Sequence, residues 1–248
     1  MKKSPAYFLS AILFFSFLKI ALAQDLAITA SASWPSGSYT YDNVTITNNA
    51  TLTLNGKVTL NCKNLTLDSA AKISSDGKGY PAQNGPGAGR YGSRGGSGAG
   101  YGGKGGSRPS IIGGSTYGSS FAPSDLGSGG GDWGAGAGGG TIILNIQDKL
   151  ILNGIISTNG NNGSYDWSIV FGEYSGAGGS GGSIYVKTNI LDGSGYFLAN
   201  GGDSGQTKGA GGGGGRIAIH YQTSNFSGTA LAKGGKGNPS WNGSNGQD

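Results

Sequence analysis

Gly138-Gly-Gly-Thr-Ile-Ile-Leu144, Gly181-Gly-Ser-Ile-Tyr-Val186 and Gly214-Gly-Arg-Ile-Ala-Ile219 are one phrase repeated along the chain, a glycine run leading into a short β-rich segment. Between these phrases lies a second one, an apolar residue, small or polar residues, then a turn. It reads Ile73-Ser-Ser-Asp-Gly77, Ile156-Ser-Thr-Asn-Gly160, Leu198-Ala-Asn-Gly201 and Leu231-Ala-Lys-Gly234. The two alternate in fixed order, which chance glycine richness would not preserve, so the chain is built on an internal repeat. Strands this short cannot bury an apolar face alone. They can if each repeat lies against the previous one, with neighbouring strands about 4.8 Å apart. The expected fold is all-β, a right-handed parallel β-helix (a solenoid) with long glycine-rich loops. Asp76-Gly77, Asn159-Gly160 and Asn200-Gly201 suit turn positions with positive φ.

Outward from this repeat, the N-terminal third is more regular. Val44-Thr-Ile46, Leu52-Thr-Leu54, Val58-Thr-Leu60 and Leu65-Thr-Leu67 alternate with period two, apolar side inward and threonine outward. Residues 24–41, with Trp34 and Pro35, are expected to cap the first strand against pairing with another chain. Residues 42–76 form the short-coil part of the helix, 77–140 a glycine- and tyrosine-rich basic loop insertion, and 141–248 the glycine-rich repeats. The last repeat lacks its glycine-run strand, so the chain reads as incomplete at its C-terminus, with further repeats or domains of a longer protein expected beyond.

Residues 1–23 read as a secretory signal peptide: Lys2 and Lys3, an apolar stretch, then Ala21-Leu22-Ala23 before a cleavage site at Gln24. A secreted or cell-surface protein is expected, with no transmembrane segment in the mature chain. When Lys2, Lys3 and Lys19 leave, the 17 bases fall to 14 against 12 acids, a net of +2, which makes nucleic acid a poor partner. Cys62 stands alone, in phase with Val58 and Leu60, and reads as a small buried apolar residue. The 54 glycines in 248 residues do not follow a sustained Gly-X-Y period, which excludes collagen.

These phrases, with their Asn-Gly and Lys-Gly-Gly turns, resemble the glycine-rich β-helix regions of large bacterial surface and adhesin-like proteins. The resemblance covers most of residues 42–248 and implies a stalk or binding surface. The long glycine stretch also resembles the polyglycine-helix sandwiches of phage receptor-binding tips, an architecture that these β-strands fit less well.

The stretch from Lys78 to Ser120 holds cations and tyrosines but no acid. Its arginine-glycine text looks superficially like an RNA-binding box, but export argues against RNA. Lys78, Tyr80, Arg90, Tyr91, Arg94, Tyr101, Lys104, Arg108 and Tyr117, joined by Trp133, form a candidate binding loop for a polysaccharide or cell-surface glycan. The alternative is a flexible loop whose tyrosines cover the solenoid. Trp167, Tyr165 and Tyr174 sit in the loop of the next coil. No catalytic, cofactor-binding or metal-binding residues are assigned: one Cys and one His cannot build a zinc site. Glu173 is the one glutamate after residue 23, and Asp166 and Asp203 are the best available carboxylate pair, with Asp132 as a third candidate. His220 alternates against Ile217, Ile219 and Tyr221 and is expected to point outward. The expected function is therefore structural and adhesive, without catalysis. The alternatives are a β-helix polysaccharide lyase or hydrolase, and a spacer with no ligand.

Overall fold

Period-two alternation governs the strands. In β4 (Asn43–Ile46), β5 (Thr51–Leu54) and β6 (Lys57–Leu67), buried side chains alternate with unburied ones, and in β6 the phase shifts by one residue between Cys62 and Leu65. The computed structural model describes residues 24–92, 95–168, 172–205, 208–239 and 244–248. Within them the chain is all-β, with two parallel sheets and one small antiparallel hairpin. No helix among these residues is long and apolar enough to cross a membrane.

The chain moves back and forth between the two sheets. From β4 in the first sheet it passes to β5 in the second, then returns to β6 beside β4 and to β7 (Lys72–Ser74) beside β5. The pattern continues with β8 (Thr141–Leu152) and β9 (Ile155–Ser157). Then come β12 (Ser183–Lys187) with β13 (Ile190–Asp192), and β14 (Tyr196–Leu198). It ends with β15 (Arg216–His220), β16 (Thr223–Ser224) and β17 (Thr229–Leu231). At the start, β1 (Leu26–Ile28) and β3 (Gly37–Thr40) join the first sheet and β2 (Ala32–Trp34) the second.

Parallel register stacks like on like. Val58, Ile142, Ile184 and Ile217 form one inward column, Leu60, Leu144, Val186 and Ile219 another. From the second sheet, Leu52, Ile73, Ile156 and Phe197 face them. Cys62 is buried in the same core, and burial pushes its thiol up to about 12. At the N-terminal end, Trp34 stacks on Tyr39 at 4.4 Å and lies 5.9 Å from Tyr41, and all three pack against the core. Outward columns carry hydrogen-bonded amides. Asn64 Nδ2 donates to Asn43 Oδ1 at 2.8 Å, and Asn145 Nδ2 to Asn61 Oδ1 at 2.9 Å.

The turns after the second sheet hold for a different reason than positive φ. Gly77 has φ 62°, but Gly160 and Gly201 are not in that region. Here the side chains form a ladder: Asn159 N–H donates to Asp76 Oδ1, Asn200 N–H to Asn159 Oδ1, and Lys233 N–H to Asn200 Oδ1. The residue type is set by its acceptor oxygen, reused at each level.

The glycine segments form a third body beside the sheets. Gly176, Gly179 and Gly182 donate backbone hydrogen bonds to Ser164, Asn161 and Thr158; Ala177 and Ser180 to Gly131 and Ser128; Gly178 and Gly181 to Ala210 and Gly213. Successive N–H groups thus point to three neighbours in turn and come back to the first after three residues. That is the signature of an extended helix with three residues per turn and no internal hydrogen bonds. The segment 210–215 repeats it: Ala210 and Gly213 donate to Gly96 and Ala99, Gly211 and Gly214 to Ser244 and Gln247, and Gly212 and Gly215 to Gly202 and Ala199. Glycine is required here by contact. A Cβ on Gly178 would run into the Gly202 carbonyl, and one on Gly98 into that of Gly211, closer than side chains can approach. Where space opens, alanine and serine appear at the same three-residue spacing, as Ala177, Ser180 and Ser183, all fully buried.

This body absorbs residues 77–140. Their segments are hydrogen-bonded into it through Gly98 to Gly106, Gly106 to Gly211, Ala99 to Gly178 and Gly136 to Ala177. The difference from a loop laid over a sheet is physical: without side chains, glycine backbones satisfy their polar groups against one another.

Candidate functional site

Two of the tyrosines singled out in the sequence, Tyr101 and Tyr117, hold the glycine bundle against the sheets. Tyr101 has 0% exposure, and its hydroxyl shares a 2.6 Å hydrogen bond with Ser183 Oγ. Its ring lies 4.7 Å from that of Tyr117 and under the Arg216 guanidinium. Tyr117 donates to the Leu126 carbonyl and contacts Ser128 Oγ at 2.8 Å. Burial pushes both phenols above their ordinary value. Tyr80 is half-buried, its main chain bonded to Gly127 and Gly138. A fully buried Tyr101 cannot touch a glycan; together with Tyr117 it knits the two bodies.

The far turns of the bundle meet at one end, the tip. Ser164 N–H donates to Gly134, Gly205 to Gly176, Ser204 to Lys236 and Asn238 to Gly209. To this end the structure brings Arg90, Tyr91, Arg108 and Trp133. Arg90 N–H donates to Ser97 Oγ, Ser97 N–H returns to the Arg90 carbonyl, and Gly131 N–H donates to Ser97. Arg108 starts a two-residue turn closed by reciprocal backbone bonds with Ile111, and its Nη1 donates to the Lys208 carbonyl. Trp133 is 68% exposed and Tyr91 53%, while Arg90 is also exposed.

Beneath Trp133 lies Asp132, fully buried at φ 76°, with Oδ1 accepting the Trp133 N–H at 2.7 Å. Its Oδ2 and the Arg108 Nε have no hydrogen-bond partner. Burial raises the Asp132 carboxyl and lowers Arg108, and the charge of each partly offsets this in the other. Asp132 thus fixes the turn that carries Trp133. The sequence offered Asp132 only as a third carboxylate beside Asp166 and Asp203, and its place in this turn was not legible there.

Lys78 and Lys104 are exposed but stand nearer the sheets, beside Ser75 and Gln247 respectively. Arg94 lies outside the described residues, as does the signal-peptide reading of residues 1–23. The antiparallel hairpin of β10 (Tyr165–Ser168) and β11 (Gly172–Ser175) also rises at the tip, from Ser164. The side chains of Tyr165, Asp166, Trp167, Glu173 and Tyr174 are outside the described ones. Asp203 accepts the Lys236 N–H at 2.7 Å and donates its own N–H to Asn162, so it serves a turn ladder.

Among the described residues no three His, Cys, Asp or Glu come together as metal ligands would. The tip presents the exposed Trp133 and Tyr91 rings and the exposed Arg90 on main chain held by hydrogen bonds. Compared with known protein families, curated proteins and solved structures, the chain matches none.

Proposed function

We propose that the chain is an exported, non-catalytic adhesive module that binds a glycan-bearing surface through the tip of its glycine bundle. In this reading the two parallel sheets are faces of a right-handed β-helix, and the bundle is a rigid arm projecting from it. The helix reading is supported by the regular return of the chain to the neighbouring strand of each sheet. Its hand follows from the strong right-handed bias of parallel crossovers.

One observation carries the function. Trp133 and Tyr91, large rings that burial would favour, are left exposed beside Arg90 on an arm whose backbone is hydrogen-bonded at every residue of Gly176 to Gly182 and Ala210 to Gly215. Trp, Tyr and Arg dominate binding energy at interfaces, and a rigid support lowers the ordering cost of using them.

The test is binding of labelled protein to cells and to immobilised glycans, with a Trp133→Ala/Tyr91→Ala double variant. A tenfold or greater loss with an unchanged circular dichroism spectrum is expected. Equal binding by the double variant would remove the tip from the function and leave a spacer.

A further inference from the structure

We propose a second binding site, independent of the tip, at the bend of the first sheet, where an open depression takes an acidic sugar residue. The depression measures about 370 Å³ and is lined by Ile146, Gln147, Lys187, Thr188, Asn189, His220, Tyr221 and Gln222. That volume falls within the range of small-ligand sites, about 300–1,000 Å³.

Strand register builds it. Lys187 and His220 are partners in adjacent parallel strands, so their side chains stand about 4.8 Å apart on the outer face. The same column continues through Asn145, Asn61 and Thr40, so its one lysine falls at the depression. No carboxylate lines the site. The described ion pairs, Lys72 with Asp76 and Lys149 with Asp192, do not involve Lys187.

The lining divides into a fixed frame and free groups. Thr188 Oγ1 donates to the Asp148 carbonyl at 3.1 Å and Asn189 Nδ2 to that of Gln147 at 2.7 Å. His220 Nε2 lies 2.9 Å from the Phe121 carbonyl, its ring held edge-on by Phe121 and Tyr185. The Lys187 ammonium lies over the Tyr185 ring at 5.3 Å and has no ion-pair partner among the described residues. Tyr221 is 53% exposed. The carboxamides of Gln147 and Gln222 complete the free set.

A cation, two carboxamides and an exposed aromatic face match one chemistry. The cation takes a carboxylate, the amides take hydroxyls, and the ring takes the C–H face of a pyranose. A free phosphate would use the lysine and the amide N–H groups but leave the ring idle.

Calorimetric titration of the full protein with a galacturonic acid trisaccharide, its methyl ester and inorganic phosphate tests this. The acid is expected to bind, with the ester at least tenfold weaker and phosphate not competing. Lys187→Ala and Tyr221→Ala should each weaken the acid at least tenfold, while Trp133→Ala leaves it unchanged. Equal binding of acid and ester, displacement by phosphate, indifference to Lys187→Ala and Tyr221→Ala, or no binding at millimolar sugar would each overturn the site. Loss on Trp133→Ala alone would also overturn it and place the acidic sugar at the tip.

Discussion

In the sheets, Leu60, Leu144 and Val186 stack behind one another and what is buried is side chain; in the glycine bundle, Gly98 meets Gly211 and Gly178 meets Gly202, and what is buried is main chain. Both bodies exclude water and satisfy their backbones, by opposite means. The sheets pair each strand with two neighbours and fill the space between with aliphatics. In the bundle, the segments Gly176 to Gly182 and Ala210 to Gly215 each have three neighbours, and a Cβ on any of their glycines would strike a backbone carbonyl. A sheet core accepts an aliphatic swap at modest cost, because volume can be redistributed. The bundle has no volume to redistribute, so its tolerance is set by single hydrogen atoms.

Five substitutions or conditions probe that contrast. The largest effect belongs to the sheets: Ile184→Asp puts an unpaired charge at a fully buried position and should cost about 4–5 kcal/mol or more, read by urea denaturation. Next comes the bundle. Gly178→Ala adds one methyl group against a backbone carbonyl and should cost about 1–3 kcal/mol. Its neighbour Ala177, where the methyl fits, should lose only about 1 kcal/mol on replacement by glycine. Equal responses at 177 and 178 would erase the distinction between open and closed positions.

A smaller effect lies at the seam of the two bodies. Burial raises the Asp76 carboxyl, but Lys72 Nζ, the Asn159 N–H and Ser157 Oγ together hold it below the ordinary carboxylate value. Its folded pKa is therefore depressed, and the stability it contributes is present above the unfolded value of about 3.9. That contribution is lost as pH falls through the folded value. Solvent screening of the partly exposed Lys72 pair limits it to about 1 kcal/mol. Asp76→Asn should flatten the acid limb of the stability profile by that amount, as measured by denaturation between pH 2 and 6. The smallest effect is chemical. Burial pushes the Cys62 thiol up to about 12, so it should resist iodoacetamide at pH 8 while folded and react once denatured.

The same contrast explains what the sequence made legible. Val44-Thr-Ile46 and Leu65-Thr-Leu67 announce their strands because side chains alternate visibly, and the structure pairs Val44 with Leu65 and Ile46 with Leu67. Inward placement of Ile184 and Cys62 follows from the same alternation. In a glycine run the structural information sits in the main chain, which one-letter text does not display. Its trace is the three-residue spacing of Ala177, Ser180 and Ser183, short enough to pass for noise. Tyr101 and Tyr117 read as contact residues beside Arg94 and Lys104; their burial depends on Ser183 and Arg216, distant in sequence, and no local pattern encodes that. The asparagine turns were legible as turns, but their cause lies in the coil above, where the next N–H seeks the carboxamide. At the tip, Trp133 and Arg90 were legible by type, whereas their meeting depends on how the bundle's turns align.

Amide hydrogen exchange resolved to single residues tests the glycine bundle most directly. Gly176 through Gly182 and Ala210 through Gly215 should be protected to a degree comparable with Leu60 and Leu144, since every one of those glycine-segment amides has a backbone acceptor. Exchange of these glycines at the rate of an unstructured chain, with β6 and β8 still protected, would contradict a hydrogen-bonded bundle and return the glycine segments to loops.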